Sequence, residues 1–144
     1  MSQPAHHIVV DASALLEMLG PNPDPLLFQR LQTSTSTAPE IIDLEVLHVL
    51  RRQDRLDPSA GADTDEQARL LPNAPVARVP HRSLIGRIWE LRHSVTAYDA
   101  AYVALAEQLD IPLVTCDAKL AGSHGHKVQI ELYPGSPRSS VPSH

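Results

Sequence analysis

Four acidic residues, Asp11, Glu45, Asp99 and Asp117, each stand where a carboxylate is awkward. Asp11 ends the apolar run Ile8-Val9-Val10, and Asp117 closely follows Ile111-Pro112-Leu113-Val114. Glu45 and Asp99 lie inside apolar stretches that read as helix. A charge in such a setting is costly unless it is paired or binds a metal. Four of them spread along the chain point to one acidic pocket assembled by folding. Its simplest use is to hold Mg²⁺ or Mn²⁺, which prefer carboxylate oxygen. One or two such ions supply what phosphodiester hydrolysis needs: an attacking water, neutralised phosphoryl oxygens and a stabilised leaving oxygen. Because Mg²⁺ keeps several waters, some of the four acids would ligate it directly and others would orient metal-bound water. Crowding should also raise carboxylate pKa values in the metal-free chain.

Each acid also has a structural explanation. Asp11 and Asp117 sit where helix N-caps are expected, and one carboxylate can cap with one oxygen while coordinating with the other. Thr96-Ala97-Tyr98-Asp99 has the spacing of a capping box, with Asp in place of the usual Glu. Glu45 reads as mid-helix, beyond the reach of capping, and Arg52 is too far along for a direct helix pair. Glu40 and Asp43 fall in the first helical turn, where the dipole favours them without any function. Ser13 could donate to a carboxylate or phosphate, or simply be a first-turn residue. Thr115 precedes Asp117 by two, so strand alternation turns both to one side. Cys116 points the other way and reads as a small core residue. The eight histidines show no zinc spacing.

The elements that must position these groups alternate between strand and helix. Strands are expected over 6–10, 76–79, 112–115 and 127–132. Helices are expected over 12–19, 24–32, 39–53, 65–71, 83–93, 96–109 and 118–121. Thr33–Thr37 reads as a polar linker and Asp57–Asp65 as a loop. The alternation implies an α/β fold with a mostly parallel sheet. Ligands in such sheets bind beyond the carboxyl ends of the strands, where Asp11 and Asp117 fall. Residues 1–133 form one expected domain, followed by a Pro- and Ser-rich tail, 134–144, that reads as disordered.

Composition narrows the classes. At 144 residues and 42% hydrophobic, the chain suits a soluble globular domain. It has no run long enough for a membrane span, no signal peptide and one cysteine, so a cytoplasmic location is expected. The net charge of −5 argues against coating nucleic acid by bulk charge, though not against a nuclease whose carboxylates hold metal. Only Lys119 and Lys127 are lysines. Arg51, Arg52 and Arg55 form a cluster suited to phosphate, and Arg78, Arg82, Arg87 and Arg92 a looser series; the simpler reading of both is an ordinary solvated helix face, since charge clusters on helices are common.

These segments carry a family likeness. The chain resembles the PIN-domain ribonucleases, and within them the VapC toxins of bacterial toxin–antitoxin pairs. The likeness rests on 8–15 (Ile-Val-Val-Asp-Ala-Ser-Ala-Leu), on Ala38-Pro39-Glu40 leading to Glu45-Val46-Leu47, on 96–106 and on 112–120. No one segment decides it; the four in this order, with the Tyr-Asp-Ala-Ala-Tyr helix, do. The resemblance implies a three-layer α/β/α fold and metal-dependent endonucleolytic cleavage of RNA. It puts the acidic quartet on Asp11, Glu45, Asp99 and Asp117, with Asp11 and Asp99 as direct ligands and Ser13 near the metal. It further implies a VapB-type antitoxin and a toxin homodimer; in this chain Arg51, Arg52 and Arg55 are the place to seek RNA or antitoxin contacts. Two other readings stay open: a metal-dependent phosphatase-like α/β domain, although Asp11-Ala12-Ser13 lacks a second Asp, and a non-catalytic RNA-binding or regulatory domain.

Overall fold

A computed structural model describes residues 6–135; Met1–Ala5 and the tail from residue 136 onward, expected to be disordered, lie outside the described residues. Twelve helices and strands, with short 3₁₀ turns between some of them, run in the order β1 (His7–Val10), α1 (Ala12–Leu19), α2 (Pro25–Gln32), β2 (Thr35–Pro39), α3 (Ile42–Leu56), α4 (Gly61–Leu70), β3 (Val76–Val79), α5 (Ile85–Glu90), α6 (Ala97–Leu109), β4 (Leu113–Thr115), α7 (Ala118–Ala121) and β5 (Ile130–Leu132). The five strands form one parallel sheet, ordered β3-β2-β1-β4-β5.

The strand order explains the layers. From β1 the chain steps to β2 and β3 on one side, then returns past β1 to β4 and β5 on the other. Right-handed crossovers put α1–α4 on one face and α5–α7 on the opposite face. Within the first layer α1 packs on α2, α3 and α4; within the second, α5 packs on α6. The direction of winding reverses between β1 and β4, which opens a crevice beyond their carboxyl ends. Ile8, Val9, Val10, Leu113 and Val114 are fully buried, as continuous apolar runs must be in a sheet covered on both faces. Ala100, Ala101, Ala104 and Ala106 are buried on α6, which lets it lie close against β1, β2 and β4. No described helix is long and apolar enough to cross a membrane.

Several boundaries differ from expectation; the last strand, expected over 127–132, is only Ile130–Leu132. The expected linker at 33–37 contains most of β2, a central strand whose Ser36, Thr37, Ala38 and Pro39 are buried. Its polarity is absorbed by the ladder and by Thr37 Oγ1, which donates to the Ala77 carbonyl at 3.1 Å. Because Pro39 belongs to β2, α3 begins only at Ile42. The expected loop at 57–65 is a 3₁₀ turn, stapled by Asp57 Oδ1 to the Ser59 N–H, followed by α4 from Gly61. The helix expected over 83–93 is shorter, a 3₁₀ turn at Arg82–Leu84 and then α5.

Candidate active site

Asp11 is the buried anchor of the crevice, 5% exposed. It caps α1 by accepting the Ala14 N–H on Oδ1 at 2.9 Å. The same oxygen accepts the Ser13 hydroxyl at 2.7 Å, and Oδ2 accepts the Thr115 hydroxyl at 2.5 Å. Those hydroxyls take N–H groups of the segment after β4: Ser13 Oγ from Cys116 at 2.9 Å, Thr115 Oγ1 from Asp117 at 2.9 Å. Two neighbouring strand ends are thus pinned around one carboxylate. With about four acceptor sites per carboxylate, Oδ1 is filled and Oδ2 retains one. The cap foreseen for Asp11 is present and leaves part of the carboxylate open to a further partner. Cys116 is partly buried against the core.

The other acids stand at the starts of three more helices. Asp117 caps α7, accepting the Lys119 N–H at 2.9 Å. Asp99 lies in the first turn of α6, where Thr96 Oγ1 accepts its backbone N–H at 3.1 Å; this is the capping half of the expected box. Glu45 is not mid-helix: with α3 starting at Ile42 it falls in the first turn, although it makes no capping bond. Its Oε1 instead accepts the hydroxyl of Tyr102, from α6, at 2.5 Å. All four carboxylates therefore sit at helix N-termini beyond the carboxyl ends of the strands, where aligned peptide dipoles favour negative charge.

The four share one electrostatic field, with Asp99 at its centre. Burial pushes the Asp11 carboxyl up to about 6, against hydrogen bonds from Thr115, Ala14 and Ser13; the charge of Asp99 adds to the rise. Burial also raises Glu45, opposed by the Tyr102 hydrogen bond and assisted by Asp99. Asp99 itself is raised by burial and by Asp117, while Lys119 draws it down. Carboxylates that obstruct one another's ionisation form a site a divalent cation would relieve. Among the described residues no three His, Cys, Asp or Glu side chains converge closely enough to hold a metal ion together. An all-oxygen donor set still suits Mg²⁺, which takes one or two carboxylates directly and keeps its waters.

A protein-family model for the PIN domain matches residues 8–122, from Ile8 through the end of α7. The chain belongs to the PIN-domain family. Ribonuclease VapC1 of Mycobacterium tuberculosis is 43% identical over 131 residues, covering 86% of this chain and 96% of the relative. Ribonuclease VapC12 of the same organism is 38% identical over 126 residues, covering 87% and 98%. Among solved structures, that of VapBC2 from Rickettsia felis, bound to a DNA fragment from their promoter, shares the fold with a TM-score of 0.63 at 12% identity, covering 88% of this chain and 98% of that one. The resemblance read from the four acidic segments is therefore shown, as is the α/β fold with its parallel sheet.

The arginines of this PIN domain divide into two kinds. Arg78 is structural: it donates to the carbonyls of Leu71, Ala74 and Val76 and pairs with Asp43 at 3.1 Å. Arg87 is held by Glu107 at 2.7 Å and donates to the Gly125 carbonyl, and Arg92 lies 4.4 Å above the Trp89 ring. By contrast, Arg51, Arg52 and Arg55, with His48 and Leu56, line a depression of about 260 Å³ on α3. Seven residues is nearly two full turns, so Arg52 shares a helix face with Glu45, about 10 Å further along the axis. Two contributors were not assigned from sequence: Tyr102, whose only signal is its place three residues after Asp99, and Lys119, two after Asp117.

The Thr115 hydroxyl serves two of the four acidic residues, donating to the Asp11 carboxylate and accepting the Asp117 backbone N–H. Thr115→Val keeps the shape, deprives Asp11 of a donor and leaves the Asp117 N–H without its acceptor. We expect a loss of about 1–3 kcal/mol in denaturant unfolding, with an Asp11 pKa above its present value. Unchanged stability would show that water or backbone takes over both bonds.

Proposed function

We propose that this chain is a Mg²⁺-dependent endoribonuclease, with Mn²⁺ as a substitute, acting as the toxin of a VapBC-type pair. Asp11, Glu45, Asp99 and Asp117 form its catalytic carboxylate site, and all four serve the metal, Asp11 and Asp99 directly. The observation that carries the reading is Asp11, buried at the reversal of the winding, bonded on both oxygens and still coupled to Asp99. The names of the VapC relatives, as ribonucleases, support the substrate class.

A bound divalent cation would supply Lewis acidity and an acidified water for phosphodiester hydrolysis. The residues do the rest. Ser13 and Thr115 fix the orientation of Asp11, and the cap bond to Ala14 holds it against the strand ends. Asp99, raised in pKa by burial and by Asp117 against the pull of Lys119, offers a carboxylate whose charge an arriving cation would stabilise further. Arg51, Arg52 and Arg55 bind backbone phosphates of the RNA or an acidic stretch of the antitoxin. A VapB-like antitoxin, a homodimer and a cytoplasmic location belong to the same reading.

The test is incubation of purified chain with total cellular RNA in Mg²⁺, Mn²⁺ and EDTA. Discrete fragments in either metal and none in EDTA support the nuclease. RNA binding that ignores EDTA, with no cleavage in either metal, would instead favour a non-catalytic RNA-binding domain. In the same assay, Arg51→Ala/Arg52→Ala/Arg55→Ala should raise KM and leave kcat intact. Its salt dependence should flatten by about 0.7 in log–log slope for each phosphate contact removed from a single strand. An unaltered slope would remove the cluster from the RNA path.

A further inference from the structure

Tyr102 is among the largest fully buried side chains, 1% exposed, yet it carries a hydroxyl into the crevice. A buried phenol needs a partner, and it has chosen one of the four acids: Glu45 Oε1, at 2.5 Å. The bond is unusual in what it joins. Glu45 belongs to α3 in one helical layer and Tyr102 to α6 in the other, 57 residues apart. Tyr102 also lies three residues after Asp99, so both side chains rise from one face of α6. Glu45 has no capping bond to hold it, unlike Asp11 and Asp117. The phenol is the sole hydrogen-bond donor seen on Glu45 among the described residues.

We propose that Tyr102 is a positioning residue of the acidic site: its hydroxyl holds Glu45 Oε1, leaving Glu45 to act through Oε2 at a fixed offset from Asp99. The aromatic ring is rigid and completely packed, so the hydroxyl is a fixed point rather than a flexible arm. A glutamate has three rotatable side-chain torsions, and a first-turn position with no cap bond leaves them free. Tying one oxygen to the helix that carries Asp99 converts two independent acids into one preorganised pair. Partners of this kind to a metal-site carboxylate matter about 10- to 100-fold when removed.

The inference rests on the metal-dependent nuclease reading, and the experiment separates the two. The variants are Tyr102→Phe, Glu45→Gln and the double substitution, each as the full chain. Three readouts are taken: thermal midpoint without metal, Mn²⁺ affinity from the free-Mn²⁺ electron paramagnetic resonance signal, and the rate of cleavage of total cellular RNA. Tyr102→Phe should fold as the parent does, bind Mn²⁺ about 10- to 100-fold more weakly or cleave that much more slowly, and add nothing once Glu45 is already Gln. The last result is decisive, because a merely structural tyrosine would damage the Glu45→Gln chain as much as the parent. A parent chain that neither binds Mn²⁺ nor cuts RNA overturns the nuclease reading and this inference with it. A parent that does both, with Tyr102→Phe within twofold of it, overturns the inference alone. Should Tyr102→Phe unfold, Glu45→Asp, which withdraws the carboxylate from the phenol while keeping its charge, must show the same loss of Mn²⁺ affinity; full affinity there overturns the inference.

Discussion

Asn in place of Asp99 should abolish RNA cleavage, by about a thousandfold or more, in a chain that folds as well as the parent. The size follows from the proposed role: a carboxylate that ligates a catalytic cation commands several kcal/mol of transition-state charge stabilisation, and about 4 kcal/mol is a thousandfold in rate. Survival of the fold follows from the contacts. Thr96 Oγ1 accepts the backbone N–H of residue 99, not its side chain, so the start of α6 is untouched. The charge of Asp99 is also a burden to the metal-free chain: burial and Asp117 raise its own pKa, and it raises those of Asp11 and Glu45. Asn removes that repulsion. The thermal midpoint without metal should therefore equal or exceed the parent's, and added Mn²⁺ should lift the parent but not the variant. Cleavage retained in a folded Asp99→Asn chain would remove this residue from the mechanism.

A second large effect is a stability that falls as pH rises in the absence of metal. Asp11 titrates near 6 in the folded chain against 3.8 ordinarily. Between those values the folded state holds a proton that the unfolded state has released, so the slope of unfolding free energy with pH is negative. Stability present below the unfolded pKa is lost as pH climbs through the folded one, by about 3 kcal/mol for a rise of this size. Glu107, held low by Arg87, has the opposite sign and loses stability toward acid, so the raw profile mixes the two. Asp11→Asn isolates the effect: the difference between parent and variant should open between about pH 4 and pH 6, with the variant the more stable above pH 7 in EDTA and inactive throughout. Because the proposed cation would bind the ionised carboxylates, Mg²⁺ or Mn²⁺ should reverse the slope, with affinity failing as protons compete below about pH 6. Equal pH profiles for parent and variant in denaturant unfolding would mean that the carboxyl is better solvated than its burial implies.

Much of the candidate site was readable because charge in apolar sequence is expensive. Asp11 and Asp117 announced themselves by terminating apolar runs, and a parallel sheet puts such termini on one edge. Asp99 carried its own capping signal in Thr96. The expectation for Glu45 failed in an instructive way. Placing Pro39 in a helix pushed Glu45 into the middle of that helix, whereas Pro39 ends a strand and Glu45 opens the helix. The cause was β2 itself, Thr-Ser-Thr-Ala-Pro, whose polar residues give no apolar alternation. Its burial is imposed by β1 and β3 on either side, which local sequence does not register.

The sequence by itself determined which groups the candidate site contains and, for Asp11, Asp99 and Asp117, at which element ends they stand, because capping, strand termination and hydrophobic periodicity act over a few residues. Only the tertiary structure decided how they meet. The reversal of winding between β1 and β4 brings Asp11 to Thr115 across 104 positions of sequence, and the packing of α6 over the sheet carries Tyr102 to Glu45. It also decided that Arg78 and Arg87 hold the fold together while Arg51, Arg52 and Arg55 face a surface depression, a division that identical side chains in one sequence do not reveal. The physical reason is range: a hydrogen bond or an ion pair forms between whatever groups the packed core delivers within about 3 Å, and that delivery depends on strand order and crossover hand.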